Sequence, residues 1–205
     1  MAFDAVVLAG GRARRLGGSD KPAEPVGGRP LIAWVAAAAA DASRLIVVGP
    51  PRSILPGAVL VQEDSPGGGP VPALRAGLAE VRADRTALLA ADLPFLRPAH
   101  LAQLVAAAHG RNGAVLVDGD GREQWLAGCW RTDALRAALA GYAGASLRGV
   151  LGPLEPVAVA LPAGPRPPWY DCDTPEDLAR AEELAGPVPG GRTTSHTSPN
   201  GPDAL

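Results

Sequence analysis

The segment from Leu8 to Lys21, LAGGRARRLGGSDK, combines glycines with cationic side chains near the N-terminus. It directly follows a short apolar run, and Arg12, Arg14, Arg15 and Lys21 supply positive charge. A glycine-rich loop at the end of a strand binds phosphates because its unpaired backbone N–H groups point at the anion. The spacing matches neither GxxxxGK[ST] nor GxGxxG. We therefore predict a phosphate-binding loop here, the alternative being a surface turn with solvated arginines.

Acidic residues follow two other apolar runs of the chain. Asp92 ends the run at 87–91, and Asp64 comes soon after the run at 59–62. In phosphate chemistry, Mg²⁺ is held by one or two carboxylates together with the phosphates themselves. We predict that Asp92 is a metal ligand; the alternative is a helix N-cap, although Leu93 and Pro94 separate it from the next helix. For Asp64, a solvated turn residue is the competing interpretation.

These residues have to be positioned by elements that alternate between short apolar runs and helical patterns. The predicted strands are Ala5–Leu8, Leu45–Val48, Val59–Gln62, Ala87–Ala91 and Ala114–Val117. The predicted helices are Leu31–Ala42, Pro72–Ala83, Pro98–His109 and Thr132–Ala140. Nearly continuous apolar strands are typical of parallel sheets covered on both faces. The sequence thus predicts an α/β fold, a three-layer αβα sandwich with a mostly parallel, Rossmann-like sheet whose ligands bind beyond the carboxyl ends of the strands.

The second half of the chain is less regular. Gln124–Trp130 and Pro156–Leu161 are candidate strands. The sequence TPED at 174–177 predicts a helix start, with a threonine cap, proline at the first position and acids in the first turn. Beyond that helix the chain is rich in Gly, Pro, Ser and Thr and has almost nothing to bury. We expect residues 1–185 to form the domain and residues 186–205 to form a disordered C-terminal tail.

The composition limits the class of protein. With 205 residues, of which 47% are hydrophobic and 20% charged, the chain is typical of a globular protein with a substantial core. The net charge of −2 argues against a nucleic-acid partner. The two cysteines, Cys129 and Cys172, fit no disulfide framework or thiolate metal motif. There is no basic signal-peptide start and no apolar stretch of ~20 residues, so we expect a cytoplasmic protein without a membrane partner.

Four blocks of sequence, in chain order from Leu8 to Leu178, resemble signatures of the molybdenum cofactor guanylyltransferases. The block at 8–21 is similar to LAGGxxxRMGGxDK. The blocks at 63–78, 92–95 and 173–178 are similar to ED…GPLAG, DxPF/Y and NTPEDL. These enzymes belong to a larger nucleotidyltransferase family whose fold resembles a glycosyltransferase-A domain. The resemblance implies transfer of GMP from GTP to the phosphate of the molybdenum–molybdopterin cofactor, which forms its guanine dinucleotide and releases pyrophosphate.

The resemblance also implies roles for individual residues. The implied nucleotide-binding residues are Leu8, Ala9, Gly10, Lys21, Asp64 and Asp92. The first three of these would contact the guanine nucleotide through their backbone. The implied catalytic residues are Lys21, Asp92 and Arg15: Lys21 would contact the phosphates, Arg15 would neutralise the triphosphate, and Asp92 would also ligate Mg²⁺.

The chain departs from the family pattern at four places, of which one is the segment PVPAL at 70–74, which dilutes the GPLAG pattern. Leu16 replaces a methionine, which is an apolar change of similar volume. Gly49 stands where some members have a nucleotide-contacting asparagine, so a contact there would have to come from the backbone. Asp173 replaces an asparagine and would either add a second carboxylate ligand or cap the last helix; we favour the cap. These changes leave the transfer chemistry intact and weaken the preference for guanine over another base.

The acceptor residues are implied to lie in the second half of the domain. Trp125 and Trp130 could stack on a flat heterocycle, the competing interpretation being that they are core residues. Ser146, a candidate cap for a short helix, begins a segment that resembles one near the acceptor site of the family. Arg148 in that segment would contact the acceptor phosphate, unless it is simply an exposed helix arginine. No Ser, Cys or His triad is visible, and phosphoryl-type transfer depends instead on positioning and charge neutralisation.

Two other functions are compatible with the sequence. One is cytidylyl or guanylyl transfer to another small phosphorylated cofactor precursor, such as a deazaflavin or cobamide precursor; LAGG favours GTP because the cytidylyl relatives tend to have LAAG. The other is a non-catalytic GTP-binding scaffold for cofactor delivery, against which the retention of Lys21, Asp64 and Asp92 together speaks. For the leading interpretation, the expected partners are GTP, the molybdopterin cofactor and, transiently, molybdoenzymes or their chaperones.

Overall fold

The first strand lies in the interior of the sheet, with neighbours on both sides, and all five of its residues are buried. The computed structural model describes residues 1–10, 20–51, 55–63, 67–162 and 164–186. Its strands are β1 (Asp4–Leu8), β2 (Pro25–Val26), β3 (Arg29–Pro30), β4 (Arg44–Val48), β5 (Val59–Val61), β6 (Arg85–Ala90), β7 (Gly113–Val117), β8 (Glu123–Arg131) and β9 (Val157–Ala160). Every strand predicted from the sequence is present, and no predicted end is more than two residues from the observed one.

The strands are arranged in one large sheet and one small hairpin. The seven-stranded sheet has the order β5-β4-β1-β6-β8-β7-β9, and β2 pairs with β3 separately. β1 pairs in parallel with both β4 and β6. The pairs β4–β5 and β7–β9 are also parallel. β8 runs antiparallel to both of its neighbours, β6 and β7. The predicted, mostly parallel sheet is therefore confirmed, and the carboxyl ends of β1, β4, β5 and β6 meet at one edge.

Helices cover both faces of the sheet. They are α1 (Leu31–Ala38), α2 (Pro70–Ala79), α3 (Pro98–Ala107), α4 (Thr132–Ala140), α5 (Leu147–Leu151) and α6 (Pro175–Ala185). Residues of α1 and α3 pack into one apolar cluster with the sheet, and residues of α2, α4 and α5 pack into another. The three-layer αβα sandwich is thus confirmed. In the described part of the chain, no helix has the length and apolar character needed to span a membrane.

Two helices and one hairpin differ from the prediction. α2 begins at Pro70 rather than Pro72, because Gly69 (φ +98°) turns the chain and proline fits the first helical position, and it ends at Ala79 rather than Ala83. α1 ends at Ala38 rather than Ala42, and the chain then turns into β4. The β2–β3 hairpin was not predicted. Gly27 and Gly28 both have positive φ (59° and 72°), as a tight type I′ hairpin turn requires.

The last helix is fixed at both ends. The hydroxyl of Thr174 accepts a hydrogen bond from the backbone N–H of Asp177 at 3.1 Å, and the carboxylate of Asp177 accepts one from the backbone N–H of Thr174 at 2.8 Å. This capping box confirms the predicted helix start. Further along the helix, Glu182 Oε2 accepts a hydrogen bond from the N–H of Gly27 at 2.6 Å. These contacts hold the start of α6, and therefore Asp173, in a defined position.

Candidate active site

Lys21 lies between two carboxylates that come from distant parts of the chain. Its Nζ is 2.6 Å from Asp92 Oδ2 and 2.5 Å from Asp173 Oδ1. Lys21 opens a short 3₁₀ turn, Asp92 follows the carboxyl end of β6, and Asp173 directly precedes the cap of α6. The side chains of Lys21 and Asp92 are only 15% and 19% exposed, whereas that of Asp173 is 50% exposed. The result is a partly shielded charge cluster at the carboxyl edge of the sheet.

The carboxylates of this cluster change the acid–base properties of Lys21. Burial by itself would lower the pKa of Lys21, but the carboxylates of Asp92 and Asp173 outweigh it and raise that pKa above its ordinary value. A third acid, Asp171, lies close by, and burial, followed by the charges of Asp173 and Asp92, raises the pKa of its carboxyl. Among the described residues, two carboxylates thus contact the ammonium of Lys21 and a third lies near them, an arrangement that attracts cations.

Within the described part of the chain, one carboxylate oxygen of Asp92 has no hydrogen-bond partner. Its Oδ1 is buried and makes no hydrogen bond, while Oδ2 pairs with Lys21. A buried, unpaired carboxylate oxygen is costly, and a metal ion would satisfy it. Among the residues that the structure describes, no three His, Cys, Asp or Glu side chains form a metal-binding group. Because Mg²⁺ commonly uses one or two carboxylates together with phosphates, the donors here fit a metal that binds with a nucleotide.

The residues that follow β1 lie beside the end of β4. The N–H of Ala9 donates to the carbonyl of Val48 at 2.8 Å, which continues the strand pairing beyond Leu8. At Gly49, whose φ is +150°, a Cβ atom would lie 2.8 Å from the carbonyl of Ala9. No side chain fits there, which agrees with the expectation that any contact at Gly49 comes from the backbone. Leu8 and Ala9 are buried, whereas Gly10 is exposed at the edge of the sheet.

Glu63 is a site residue that was not predicted individually. It lies two residues beyond β5, is buried, and reaches Gly10. A Cβ placed on Gly10 would be 3.7 Å and 3.8 Å from the two carboxylate oxygens of Glu63. Oε1 accepts a hydrogen bond from the N–H of Gly67 at 3.1 Å, and Oε2 is buried without a partner. Its position next to Asp64 in the ED pair was the only signal in the sequence.

A pocket of about 590 Å³ opens next to the charge cluster. It extends from Asp92 and Asp173 to the start of α5, and its wall includes Gln124, Trp125 and Arg148. The amide Nε2 of Gln124 donates to the carboxylate of Asp118 at 3.0 Å, which fixes the orientation of this side chain. The pocket thus offers an apolar ring, an amide and a guanidinium group close to the acidic edge.

The two tryptophans have different roles. Their rings stack with centroids 6.4 Å apart and an angle of 23° between the planes. Trp130 is fully buried and packs against Gly113 and Gly128, so the core interpretation is confirmed for this residue. Trp125 is half-buried and lines the pocket. Ser146 accepts a hydrogen bond from the N–H of Gly149 at 3.1 Å, which confirms it as the cap of α5.

One prediction about the site was wrong, and one alternative is excluded. Asp173 does not cap the last helix, because Thr174 provides that hydrogen bond and Asp173 instead pairs with Lys21. Asp92 is not a helix cap either, since the N-cap of α3 is Arg97. Two predicted site residues, Arg15 and Asp64, lie outside the described residues, as does the proposed tail beyond Gly186.

The composition of the chain also singles out Lys21. Lys21 is the single lysine of the chain, and all other residues counted as Lys or Arg are arginines. Lysine differs from arginine in presenting a compact point charge rather than a planar fork. At the centre of the charge cluster the chain thus places a compact ammonium rather than a planar guanidinium group.

Comparisons with known proteins agree with this architecture. Residues 5–158 match a family model that is described as "MobA-like NTP transferase domain". The molybdenum cofactor guanylyltransferase of Bradyrhizobium sp. (strain ORS 278) is 35% identical, with 90% of this chain and 93% of the relative covered. That of Rhodobacter capsulatus is also 35% identical, with 89% and 96% covered.

A solved structure shows the same fold at lower sequence identity. The molybdopterin-guanine dinucleotide biosynthesis protein A of Archaeoglobus fulgidus superposes with a TM-score of 0.65 at 22% identity, covering 88% of this chain and 97% of that one. At this identity the likeness supports the fold alone. Taken together with the family match over most of the chain, it leads to one conclusion: the chain belongs to the MobA-like NTP transferase family.

Proposed function

We propose that this protein transfers GMP from GTP to the phosphate of the molybdopterin cofactor and releases pyrophosphate. The observation that carries the proposal is the cluster of Lys21, Asp92 and Asp173 at the carboxyl edge of the sheet, where β1 runs into the glycine-rich segment. Family membership and two relatives that are named molybdenum cofactor guanylyltransferases support the same activity. The site, the expected substrates and the relatives therefore agree.

The chemistry requires positioning and charge neutralisation. A phosphate monoester oxygen attacks the α-phosphorus of GTP, a new P–O bond forms, and the bond to pyrophosphate breaks. The attacking phosphate is itself a nucleophile, so no covalent intermediate on a side chain is needed. Lys21, which its acidic neighbours keep cationic, would stabilise the negative charge that develops on the phosphate oxygens. The backbone from Leu8 to Gly10 would hold the nucleotide across the end of β1.

We propose that Asp92 holds Mg²⁺ together with the nucleotide phosphates. The buried Oδ1 of Asp92, which has no partner among the described residues, supports this assignment. Asp173 is the second candidate ligand, because it lies near Asp92 and both contact Lys21. When bound, the metal would polarise the phosphate oxygens and neutralise pyrophosphate as it leaves. Both acids now share the ammonium of Lys21, which would then be available to the phosphates.

The neighbouring pocket is the proposed acceptor site. It adjoins Asp92, and the exposed face of Trp125 is suited to stacking on a planar ring. Arg148 offers a guanidinium group for the acceptor phosphate, and Gln124, held by Asp118, offers an oriented amide. We also expect transient contact with molybdoenzymes or their chaperones, because the product has to be passed to an enzyme that uses it, and we expect the reaction to take place in the cytoplasm.

The test is pyrophosphate release from each nucleoside triphosphate with Mg²⁺, in the presence and absence of molybdopterin. We expect release from GTP only when molybdopterin and Mg²⁺ are both present. Asp92→Asn should abolish release while the protein stays folded, and Asp120→Asn, at an exposed turn, is the matched control. Release with CTP in preference to GTP would support the cytidylyl alternative. GTP binding without any release would support the non-catalytic scaffold and refute the proposed activity.

A further inference from the structure

Among the residues that the structure describes, one buried carboxylate oxygen of Glu63 has no hydrogen-bond partner. The residue is 8% exposed; Oε1 accepts the N–H of Gly67, and Oε2 is buried without a hydrogen bond. Native proteins rarely leave such an atom unpaired, since its desolvation is not compensated. An unpaired acceptor at the edge of a substrate site indicates that the donor is on the substrate.

The position of Glu63 limits which part of a nucleotide it can meet. Its carboxylate lies against Gly10, and Gly49 from the end of β4 is also close to Gly10. Lys21 and Asp92 lie on the opposite side of β1, because Asp92 follows β6. A nucleotide across the end of β1 would therefore place its phosphates near Lys21, since a carboxylate repels phosphate. The base, with its N–H groups, would be directed towards Glu63.

We propose that Glu63 selects the base: its Oε2 accepts hydrogen bonds from the N1–H and 2-amino edge of guanine. This inference rests on the proposed nucleotidyl transfer and names the residue that determines its base preference. Guanine has two adjacent donors on that edge, whereas adenine and cytosine present a ring acceptor beside their single amino group. A carboxylate attracts the two N–H donors of guanine and repels the lone pair on the ring nitrogen of adenine or cytosine. The preference for guanine, which the sequence left weak, would thus depend on a side chain rather than on the glycine-rich loop.

The test measures nucleotide affinity without any acceptor, so that it does not depend on turnover. GTP is compared with inosine triphosphate, which lacks only the 2-amino group, and with 2′-deoxy-GTP and CTP. The wild-type protein should bind GTP about tenfold or more tightly than inosine triphosphate, because a hydrogen bond to a charged group is lost. The 2′-deoxy nucleotide should bind nearly as well as GTP.

Glu63→Gln is the matching variant of the protein. Its amide can keep a carbonyl on the N–H of Gly67 and would then present N–H groups to the guanine donors. The ratio of GTP to inosine triphosphate affinity should fall to within about threefold, and GTP binding should weaken. Glu183→Gln, which alters an exposed carboxylate on α6, is the control and should keep the wild-type ratio. Circular dichroism checks that both variants are folded.

Several results would overturn the inference. These are equal binding of GTP and inosine triphosphate by the wild-type protein, a wild-type ratio in a folded Glu63→Gln variant, and tighter binding of CTP than of GTP. A loss of affinity with 2′-deoxy-GTP but not with inosine triphosphate, which Glu63→Gln removes, would assign Glu63 to the ribose instead. The comparison of GTP with inosine triphosphate in the wild-type protein needs no variant. It can therefore still overturn the inference if Glu63→Gln does not fold. If selectivity is as expected but no transfer occurs, the proposed function fails and the base assignment stands.

Discussion

Replacing Lys21 by methionine should destabilise the protein in the absence of metal and make it respond more strongly to Mg²⁺. The substitution keeps an unbranched side chain of similar length and removes the charge. Asp92 and Asp173, which lie 2.6 Å and 2.5 Å from Nζ, would then lose this ammonium while remaining close to Asp171. Mutual repulsion of these carboxylates is the cause of the expected loss.

The magnitude follows from the exposure of the three side chains. Losing one partner of a fully buried pair costs about 3–5 kcal/mol, and an exposed pair contributes about 0–1 kcal/mol. Lys21 and Asp92 are mostly buried, but Asp173 is half-exposed and its contribution is screened by water. We therefore expect about 2 kcal/mol of destabilisation, or a decrease in Tm of roughly 4–8 °C for a chain of this size.

Thermal unfolding of the wild-type protein and Lys21→Met, each with a chelator and with Mg²⁺, measures this effect. Mg²⁺ should raise the Tm of the variant more than that of the wild-type protein, because the metal and the ammonium compete for the same carboxylates. Adding Asp173→Asn to the variant should recover part of the lost stability, and Lys21→Arg, which retains a charge, should lose less. The kcat for transfer should fall by about 10²- to 10³-fold in Lys21→Met. An unchanged Tm together with identical responses to Mg²⁺ would refute the reasoning.

Two further predictions concern stability away from the cluster. The neutral ring of His100 accepts a hydrogen bond from the N–H of Arg97 at 3.2 Å, and burial, followed by the charge of Arg97, lowers the pKa of His100. A group whose pKa is lowered in the folded state contributes stability that is present above the unfolded pKa and is lost as the pH falls through the folded pKa. His100→Gln, which keeps an acceptor, should therefore flatten the decrease in unfolding free energy as the pH falls below 6.5. A Cβ on Gly77 would lie 2.6 Å from Val6 Cγ1, so Gly77→Ala should cost about 1–3 kcal/mol in denaturant unfolding. Gly141→Ala, where no atom lies within 4 Å of the added methyl group, is its control and should be nearly neutral.

Much of the fold could be predicted because its signals are local. The apolar runs that became β1, β4, β6 and β7 are buried on both faces, so their lack of alternation was a direct consequence of their position. The threonine cap and proline at the start of α6 act within a single turn and were read correctly. The β2–β3 hairpin was missed because its strands are only two residues long, although the pair Gly27-Gly28 carried the turn signal.

The sequence alone determined the helices and strands. It also predicted the phosphate-binding loop and two candidate site residues, Lys21 and Asp92. Only the tertiary structure decided how they combine. It inserts β8 between β6 and β7, brings Asp173 to Lys21 across 152 positions of sequence, and turns the carboxylate of Glu63 towards Gly10. Strand propensity and helix capping depend on neighbours within a few residues, so a single chain displays them. Ion pairing and burial depend on which segments meet, and that is settled only when the whole sheet packs.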